Sequence, residues 1–249
     1  MRVQTERHGR VLVVRIDRPN KRNAIDADTT RGLDAALNEL DDDEELWAGV
    51  LTGTSEVFSA GTDLAGGAGE PTARGGEYGV VRRRRSTPLI AAVEGVAYGG
   101  GFELVLACDL VVASREARFG LPEVSRGVIA TCGALFRAPR ALPLNVAKEM
   151  LLTGDPLTAE RAWSLGLVNV LAEPGSARSA ALALAERVCR NAPVSVRASL
   201  QAVDAVAGAA DDEGWAATDR GIAAVRASQD SQEGVAAFLE KRAPRWAGR

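Results

Sequence analysis

The pattern of apolar and polar residues predicts β-strands in the first half of the chain. The β-branched run at 11–16 predicts a strand that pairs with residues 3–7 as a hairpin. Short apolar segments predict further strands at 48–53, 89–93 and 110–113. Helices are expected between these strands. The recurrence of strand, turn and helix with short connections therefore predicts an α/β core.

Helical periodicity is clearest at residues 33–40, where apolar residues share one face and Asp26 or Asp28 is available as a cap. A glycine-rich stretch at 66–76 contains few apolar residues and predicts a mobile loop. A short helix is expected at 77–85, ahead of the next strand.

The last hundred residues change in character and predict mostly helices. The helical segments are 147–152, 159–165, 179–188, 194–206, 214–225 and 233–242. One strand, at 167–171, interrupts them. We therefore expect an α/β core over residues 1–192 and a helical, oligomer-forming region over 193–249.

The composition argues against several classes of protein. The chain has 249 residues, a formal net charge of -3 and 46% hydrophobic residues, so it can bury a sizeable core and is not suited to nucleic acid. Its three cysteines are widely spaced and fit neither a disulfide framework nor a zinc site. With no apolar leader and no apolar segment long enough for a bilayer, we expect a cytoplasmic protein without membrane contact.

The single histidine, His8, narrows the chemistry further. A Ser-His-Asp triad needs an imidazole beside its nucleophile, and a multi-histidine metal site needs more than one. His8 falls beside the turn of the predicted hairpin and is expected at the surface. Neither kind of site is therefore expected.

A triple glycine, residues 99–101, comes directly before Phe102 and Glu103. Glycines let backbone N–H groups approach a ligand, and at the start of a helix these groups are unpaired and lie at the positive end of the dipole. They could bind a carbonyl oxygen that gains negative charge. A tight turn without function is the alternative. G-x-G-x-x-G and Walker sequences are absent, which disfavours nucleotide sites.

Two carboxylates, Glu103 and Glu123, each follow such a turn. Either residue alone could be a simple helix cap. Two partly desolvated carboxyls beside one cleft would instead raise each other's pKa and titrate as a pair. One would then be protonated and the other ionised near neutral pH, as addition of water to a double bond requires.

Three segments containing these features resemble the crotonase superfamily, the enoyl-CoA hydratases and isomerases. They are residues 58–64 (Phe-Ser-Ala-Gly-Thr-Asp-Leu), residues 99–104 with Cys108 and Asp109, and residues 119–123 (Phe-Gly-Leu-Pro-Glu). The resemblance extends through 149–154, 162–168 and 240–242, so it covers nearly the whole chain in order. It implies a spiral of repeated ββα units with a C-terminal helical region.

The resemblance also implies roles for individual residues. The backbone N–H groups of Thr62 and Gly100 match the oxyanion donors. Glu103 matches the glutamate that orients and activates water, and Glu123 matches the one that protonates the α-carbon. Reversible hydration of a 2-enoyl-CoA is the implied activity.

Coenzyme A is implied as part of the substrate rather than as a cofactor, and the resemblance implies no metal and no redox cofactor. The residues matching the family's CoA and thioester contacts are Arg22, Ala24, Ala60, Thr62, Asp63, Leu64 and Gly100. The family assembles through its C-terminal helices, so a homotrimer or homohexamer is expected.

One segment departs from the hydratase pattern. Eight residues after the second glutamate, hydratases carry Pro-Gly-x-Gly-Gly, whereas residues 130–134 read Ala-Thr-Cys-Gly-Ala. Thr131 keeps the backbone donor but not the freedom of glycine. The segment resembles the carnitinyl-CoA dehydratase-like branch. Cys132 is interpreted as a small packing residue, because no histidine is available to activate it.

The arginine run 82–85 allows two interpretations. Four consecutive helical residues point around the axis, so a solvated helix face is favoured over contact with CoA phosphates.

Isomerisation of the double bond needs only one carboxylate and is the second enzymatic hypothesis. A non-catalytic acyl-CoA-binding protein is the third, and the altered segment 130–134 is its support.

Overall fold

The computed structural model describes residues 2–248, and its first two strands form an antiparallel hairpin. Strand β1 (Val3–His8) pairs with β2 (Val11–Ile16), with Val3 opposite Ile16. β1 exposes most of its side chains, as an edge strand does, whereas β2 is buried almost throughout. The predicted hairpin is confirmed.

Four parallel strands extend this hairpin into a six-stranded sheet. They are β3 (Ala48–Thr52), β4 (Leu89–Val93), β6 (Leu110–Ser114) and β9 (Val170–Ala172), and the spatial order is β1-β2-β3-β4-β6-β9. β3 and β4 are buried at every position, because helices cover both faces of the sheet. Helix α1 (Ala27–Asp42) contributes Leu33 and Leu37 to the larger core cluster. Helix α6 (Ala177–Cys189) packs its alanines against Val50 and Ile90 on the other face.

A second, three-stranded sheet places two segments side by side. It has the order β5 (Val96–Tyr98), β7 (Arg118–Gly120) and β8 (Leu157–Thr158). β5 and β7 run parallel, with Tyr98 opposite Gly120. Helix α2 (Gly100–Leu106) starts directly after β5, and a 3₁₀ helix (Pro122–Arg126) starts directly after β7. Both segments therefore leave the same end of neighbouring strands.

The remaining helices follow the predicted order, with shifts of a few residues at their ends. They are α3 (Ala134–Ala141), α4 (Leu144–Thr153), α5 (Ala159–Ser164), α7 (Pro193–Ala207), α8 (Asp211–Ala227) and α9 (Gln229–Leu239). In the described part of the chain, α8 contacts α3, and α9 contacts the 3₁₀ helix after β7. Two strands precede a helix in β1-β2-α1, β4-β5-α2 and β6-β7-α3, so the predicted α/β class with repeated ββα units is confirmed.

The helix predicted at 77–85 is wrong. Only Glu77–Gly79 forms a single 3₁₀ turn, and Tyr78 within it has a left-handed backbone with φ 57°. Gly76 and Gly79 on either side also have positive φ, which prevents a regular helix. The strand β8 was not predicted, because two residues carry too little periodicity.

The arginine run does not form a solvated helix face, and that interpretation is also wrong. Arg83 is buried and donates to Asp41 at 2.8 Å and to Asp34, both on α1. Arg85 is half-buried and donates to Asp109 at 2.7 Å. These ion pairs attach the segment before β4 to the core. Arg84 is the exposed member with no such partner in the described chain.

The surface and cysteine interpretations are consistent with the fold. His8 lies in β1 with a partly exposed side chain and contacts Glu6 at 2.7 Å. Cys132 is buried, and burial raises the pKa of its thiol well above the usual range, which keeps it protonated and unreactive. Within residues 2–248, no helix combines the length and the apolar character that a membrane crossing demands.

Candidate active site

Glu103 lies in the first turn of α2 and is almost completely buried, with 1% of its surface exposed. Its Oε1 atom accepts hydrogen bonds from the backbone N–H groups of Cys132 at 2.7 Å and Ala134 at 3.2 Å. Burial, followed by the charge of Glu123, raises the pKa of Glu103 to about 8, and the two N–H donors oppose that rise. The donors fix one carboxylate oxygen and leave Oε2 available for another partner.

Glu123 lies in the 3₁₀ helix after β7 and faces the start of α2. A Cβ atom added to Gly99, whose φ is 53°, would lie 3.2 Å from its Oε1, so the glycine allows this close approach. Its Oε2 is buried and has no hydrogen-bond partner within residues 2–248. Burial raises the pKa of Glu123 to about 7. A buried, unpaired carboxyl oxygen of this kind is suited to exchange a proton with a ligand.

Together, the two carboxyls form a site that titrates near neutral pH. The charge of Glu123 contributes to the raised pKa of Glu103, so the two groups interact electrostatically. With pKa values of about 7 and about 8, the pair holds one proton in the range between them. One group can then accept a proton while the other donates one.

Two backbone N–H groups beside this pair, those of Thr62 and Gly100, are available to a ligand. Within residues 2–248, neither Thr62 N–H nor Gly100 N–H donates to a backbone carbonyl. A Cβ added to Gly61 would lie 3.1 Å from the nitrogen of Gly100 and 2.7 Å from the carbonyl oxygen of Tyr98. Gly61, with φ 94°, therefore brings the Thr62 segment against the glycine turn. Two such donors can hold an oxygen on which negative charge develops.

The segments matched to CoA contacts are joined by backbone hydrogen bonds. The backbone N–H of Ala60 donates to the carbonyl oxygen of Arg22 at 3.0 Å. The N–H of Ile25 donates to the carbonyl of Gly61 at 2.8 Å, and the N–H of Asp63 donates to the carbonyl of Ile25 at 2.9 Å. Arg22 has a left-handed backbone with φ 51° and an exposed side chain.

The other residues of this set differ in how freely a ligand could reach them. Ala24 and Ala60 are partly exposed, and Leu64 exposes 46% of its surface. Asp63 is paired with Arg18 at 2.7 Å, and that contact holds the pKa of its carboxyl below the usual value. Asp63 therefore shapes the loop more than it offers a free charge.

Two features of the site were not predicted from the sequence. The first is that Glu103 accepts hydrogen bonds from the backbone N–H groups of Cys132 and Ala134, so the altered segment 130–134 still holds this carboxyl. Gly133, between the two donors, keeps the positive φ of 103° that the turn requires. The second feature is Tyr78, whose hydroxyl lies 2.8 Å from Thr62 Oγ1. Nothing in the sequence around Tyr78 indicates this contact.

Comparison with known proteins agrees with this geometry. The enoyl-CoA hydratase/isomerase family matches residues 6–249 of the chain. A mevalonyl-coenzyme A hydratase from Aspergillus fumigatus is 38% identical over 245 residues, which cover 95% of this chain and 91% of the relative. A carnitinyl-CoA dehydratase from Salmonella typhi is 38% identical over an alignment of 254 positions, which covers 98% of this chain and 97% of the relative.

The fold agrees as well. The solved structure of a carnitinyl-CoA dehydratase from Mycobacterium avium 104 superimposes with a TM-score of 0.94 at 46% identity, covering 100% of this chain and 99% of that one. The family match spans both glutamates, the glycine turn and the Thr62 loop. The chain therefore belongs to the enoyl-CoA hydratase/isomerase family of the crotonase superfamily.

Proposed function

We propose that the protein is a hydro-lyase that reversibly adds water to a 2-enoyl-CoA thioester. The observation that carries this proposal is the pair of buried carboxyls, Glu103 and Glu123, whose pKa values of about 8 and about 7 bracket a one-proton state. They lie beside two unpaired backbone donors at Thr62 and Gly100. The names of its relatives, a mevalonyl-coenzyme A hydratase and a carnitinyl-CoA dehydratase, describe the same chemistry in its two directions.

In the proposed reaction, the thioester oxygen lies between the N–H groups of Thr62 and Gly100. Glu103 accepts a proton from water through its free oxygen, and the water oxygen bonds to the β-carbon. Electrons of the double bond shift toward the carbonyl, where the two donors stabilise the enolate; one such donor is worth roughly 3–4 kcal/mol in the transition state. Glu123 then donates its proton to the α-carbon, which gives a 3-hydroxyacyl-CoA.

The proton count returns to its starting value without another group. Glu103 gains one proton and Glu123 loses one, so the pair still holds a single proton after turnover. Because Glu103 has the higher pKa, the single proton resides mostly on Glu103. Its transfer to Glu123, directly or through water, gives the form in which Glu103 can accept a proton from water and Glu123 can donate one. The steps use no metal and no redox cofactor, and coenzyme A enters with the substrate.

The CoA moiety is proposed to lie along the joined segments 22–25 and 60–64. Their partly exposed backbone and the side chains of Arg22 and Leu64 lie next to the proposed oxyanion donor at Thr62. The names of the two relatives contain different acyl groups, mevalonyl and carnitinyl. They therefore do not define the acyl group of this protein's substrate.

We propose a homotrimer or homohexamer that assembles through the C-terminal helices. Support comes from α7, which buries no side chain within the described chain and exposes Val194, Val203 and Val206. Leu239 and Trp246 further along are exposed as well. A cytoplasmic location is proposed from the cysteines, since Cys108, Cys132 and Cys189 are all unpaired thiols.

The direct test is incubation of the purified protein with crotonyl-CoA in ¹⁸O-labelled water, following enoyl absorbance and product mass. Hydration gives a 3-hydroxybutanoyl-CoA that carries one ¹⁸O atom. Isomerisation moves the double bond and incorporates no solvent oxygen. An unlabelled product would therefore favour an isomerase over a hydratase. Binding of acyl-CoA without turnover of short, branched or polar thioesters would favour a binding protein.

A further inference from the structure

Tyr78 is a buried aromatic residue whose hydroxyl lies inside the proposed site. Only 4% of its surface is exposed, and its Oη lies 2.8 Å from Thr62 Oγ1. A Cβ added to Gly100 would lie 2.4 Å from the same Oη, so the phenol is packed on the backbone of the glycine turn. Tyr78 is therefore in contact with both residues whose N–H groups are proposed to hold the thioester oxygen.

The backbone that carries Tyr78 is held in an uncommon conformation. Its φ of 57° and ψ of 5° lie in the left-handed region, which costs energy for a bulky residue. Gly76 and Gly79 on either side have φ of 64° and 73°. Arg137 on α3 ties this segment down by donating to the carbonyl of Val81 at 2.6 Å. The surrounding structure thus maintains a strained backbone that directs the phenol into the site.

Within residues 2–248, the hydrogen bond between the Tyr78 and Thr62 hydroxyls leaves one of their two protons without a strong acceptor. Two hydroxyl groups carry two protons, and the hydrogen bond between them employs only one. The Cys132 thiol lies beside the phenol, but sulfur is a weak acceptor. Burial raises the pKa of Tyr78 well above its usual value, with smaller contributions from Cys132 and Glu103, so the phenol keeps its proton. When Thr62 donates to the Tyr78 oxygen, the buried phenol O–H has only the thiol as acceptor, and a ligand oxygen would satisfy it better.

The position of this donor indicates which part of a ligand it meets. The thioester carbon lies at Thr62 and Gly100 in the proposed reaction, and the β-carbon lies at Glu103. The Tyr78 hydroxyl contacts Thr62 and Gly100. Its electrostatic neighbours are Glu103 and Cys132. It therefore lies alongside the acyl chain rather than the CoA moiety.

We propose that Tyr78 is a specificity-determining residue whose hydroxyl binds an oxygen substituent on the acyl group. This inference rests on the proposed function for the placement of the thioester. The favoured substrates are short acyl-CoA thioesters with a hydroxyl close to the reacting carbons. An unsubstituted alkyl chain leaves the O–H donor without a good acceptor, so it is bound less tightly.

The test measures binding separately from turnover, with saturated thioesters that have no double bond to hydrate. Calorimetry would compare 4-hydroxybutanoyl-CoA with butanoyl-CoA, and 5-hydroxypentanoyl-CoA with pentanoyl-CoA. The protein is expected to bind the hydroxylated member of at least one pair about 3–10-fold more tightly. Equal affinities within both pairs would overturn the proposal.

Two variants assign the effect to the phenol. Tyr78→Phe keeps the ring in its site and is expected to abolish the preference, while thermal unfolding checks that the fold persists. Thr62→Val removes the partner hydroxyl but leaves the Tyr78 O–H free, so the preference should remain. A preference that survives Tyr78→Phe would contradict the proposal. Failure of crotonyl-CoA hydration with this preference intact would refute the hydratase proposal and leave the role of Tyr78 standing.

Discussion

The Oε1 atom of Glu103 accepts a 2.7 Å hydrogen bond from the backbone N–H of Cys132, which lies 29 residues further along the chain. The orientation of the carboxyl therefore depends on the turn before α3 as much as on its own helix. Backbone N–H donors favour the ionised form of a carboxyl, whereas burial favours the protonated form. The balance leaves Glu103 with a pKa of about 8 rather than the usual 4.5.

Replacing Glu123 by glutamine should abolish turnover without loss of thioester binding. The glutamine side chain keeps the size of the original but cannot deliver a proton to the α-carbon, so kcat for crotonyl-CoA should fall by roughly 10²–10⁴-fold. The Kd of a saturated acyl-CoA, measured by calorimetry, should stay within a factor of about three. A parallel loss of binding would indicate that Glu123 serves the fold.

Glu103→Gln should remove activity and increase stability at alkaline pH. A carboxyl whose pKa is raised on folding contributes stability below its unfolded pKa, and this contribution is lost as the pH rises through the folded pKa. The stability advantage of the Glu103→Gln variant should therefore grow between pH 5 and pH 8. A rise from 4.5 to about 8 corresponds to on the order of 5 kcal/mol, at about 1.4 kcal/mol per pKa unit.

Urea unfolding at several pH values measures this difference. Glu123→Gln is the matched control, because the pKa of Glu123 is raised only to about 7 and the advantage of its replacement should level off at lower pH. A Glu103→Gln variant that is less stable than the natural protein at pH 9 would show that the ionised carboxylate supports the turn before α3.

The pH dependence of kcat/KM should be bell-shaped with its maximum between pH 7 and pH 8. Reaction requires one ionised and one protonated carboxyl, and the pair holds a single proton between its pKa values of about 7 and about 8. At lower pH both groups are protonated, and at higher pH both are ionised. Initial rates at low crotonyl-CoA concentration from pH 5 to pH 10 test this, and a flat profile from pH 6 to pH 9 would refute it.

Much of the fold could be predicted from local sequence patterns, because the apolar periodicity of these segments matches the elements that they form. The apolar strands at 48–53 and 89–93 and the periodic helix at 33–40 are buried as their patterns require. Asp26 was one of two candidate caps, and its side chain accepts from Thr29 N–H at 2.9 Å. The resemblance added Thr62 and Gly100, which pattern alone could not select.

Tyr78 and Arg83 could not be predicted, because their roles depend on distant parts of the chain. The left-handed φ of Tyr78 is unusual for an aromatic residue, and its partner Thr62 is 16 residues away. Arg83 stands in a run of four arginines, and local sequence does not show which of them is buried. Its partners, Asp34 and Asp41, lie seven residues apart on one face of α1.

Gly61→Ala should weaken both the fold and the reaction. An added Cβ would lie 2.7 Å from the carbonyl oxygen of Tyr98 and 3.1 Å from the nitrogen of Gly100, at a φ of 94°. We expect a loss of on the order of 1–3 kcal/mol in the free energy of unfolding and a lower kcat, since the two donors must separate. Gly66→Ala in the same loop is the control, because its Cβ would meet nothing within 4 Å. Equal effects of the two substitutions would contradict the packing argument.

Arg83→Leu should destabilise the protein strongly without changing the KM for crotonyl-CoA at temperatures where it stays folded. Arg83 is buried against Asp34 and Asp41. Its removal leaves Asp34 without its cation and Asp41 with only the longer 3.4 Å contact to Arg74, at a cost of about 3–5 kcal/mol.

Arg84→Leu is the matched control for this substitution, since Arg84 is an exposed neighbour in the same run. Its effect on unfolding should stay within about 0.5 kcal/mol. Thermal unfolding and steady-state kinetics on both variants separate a structural role from contact with CoA phosphates. If either variant raised KM by tenfold while its stability was unchanged, the run would be a phosphate-binding element and the ion pairs on α1 would be secondary.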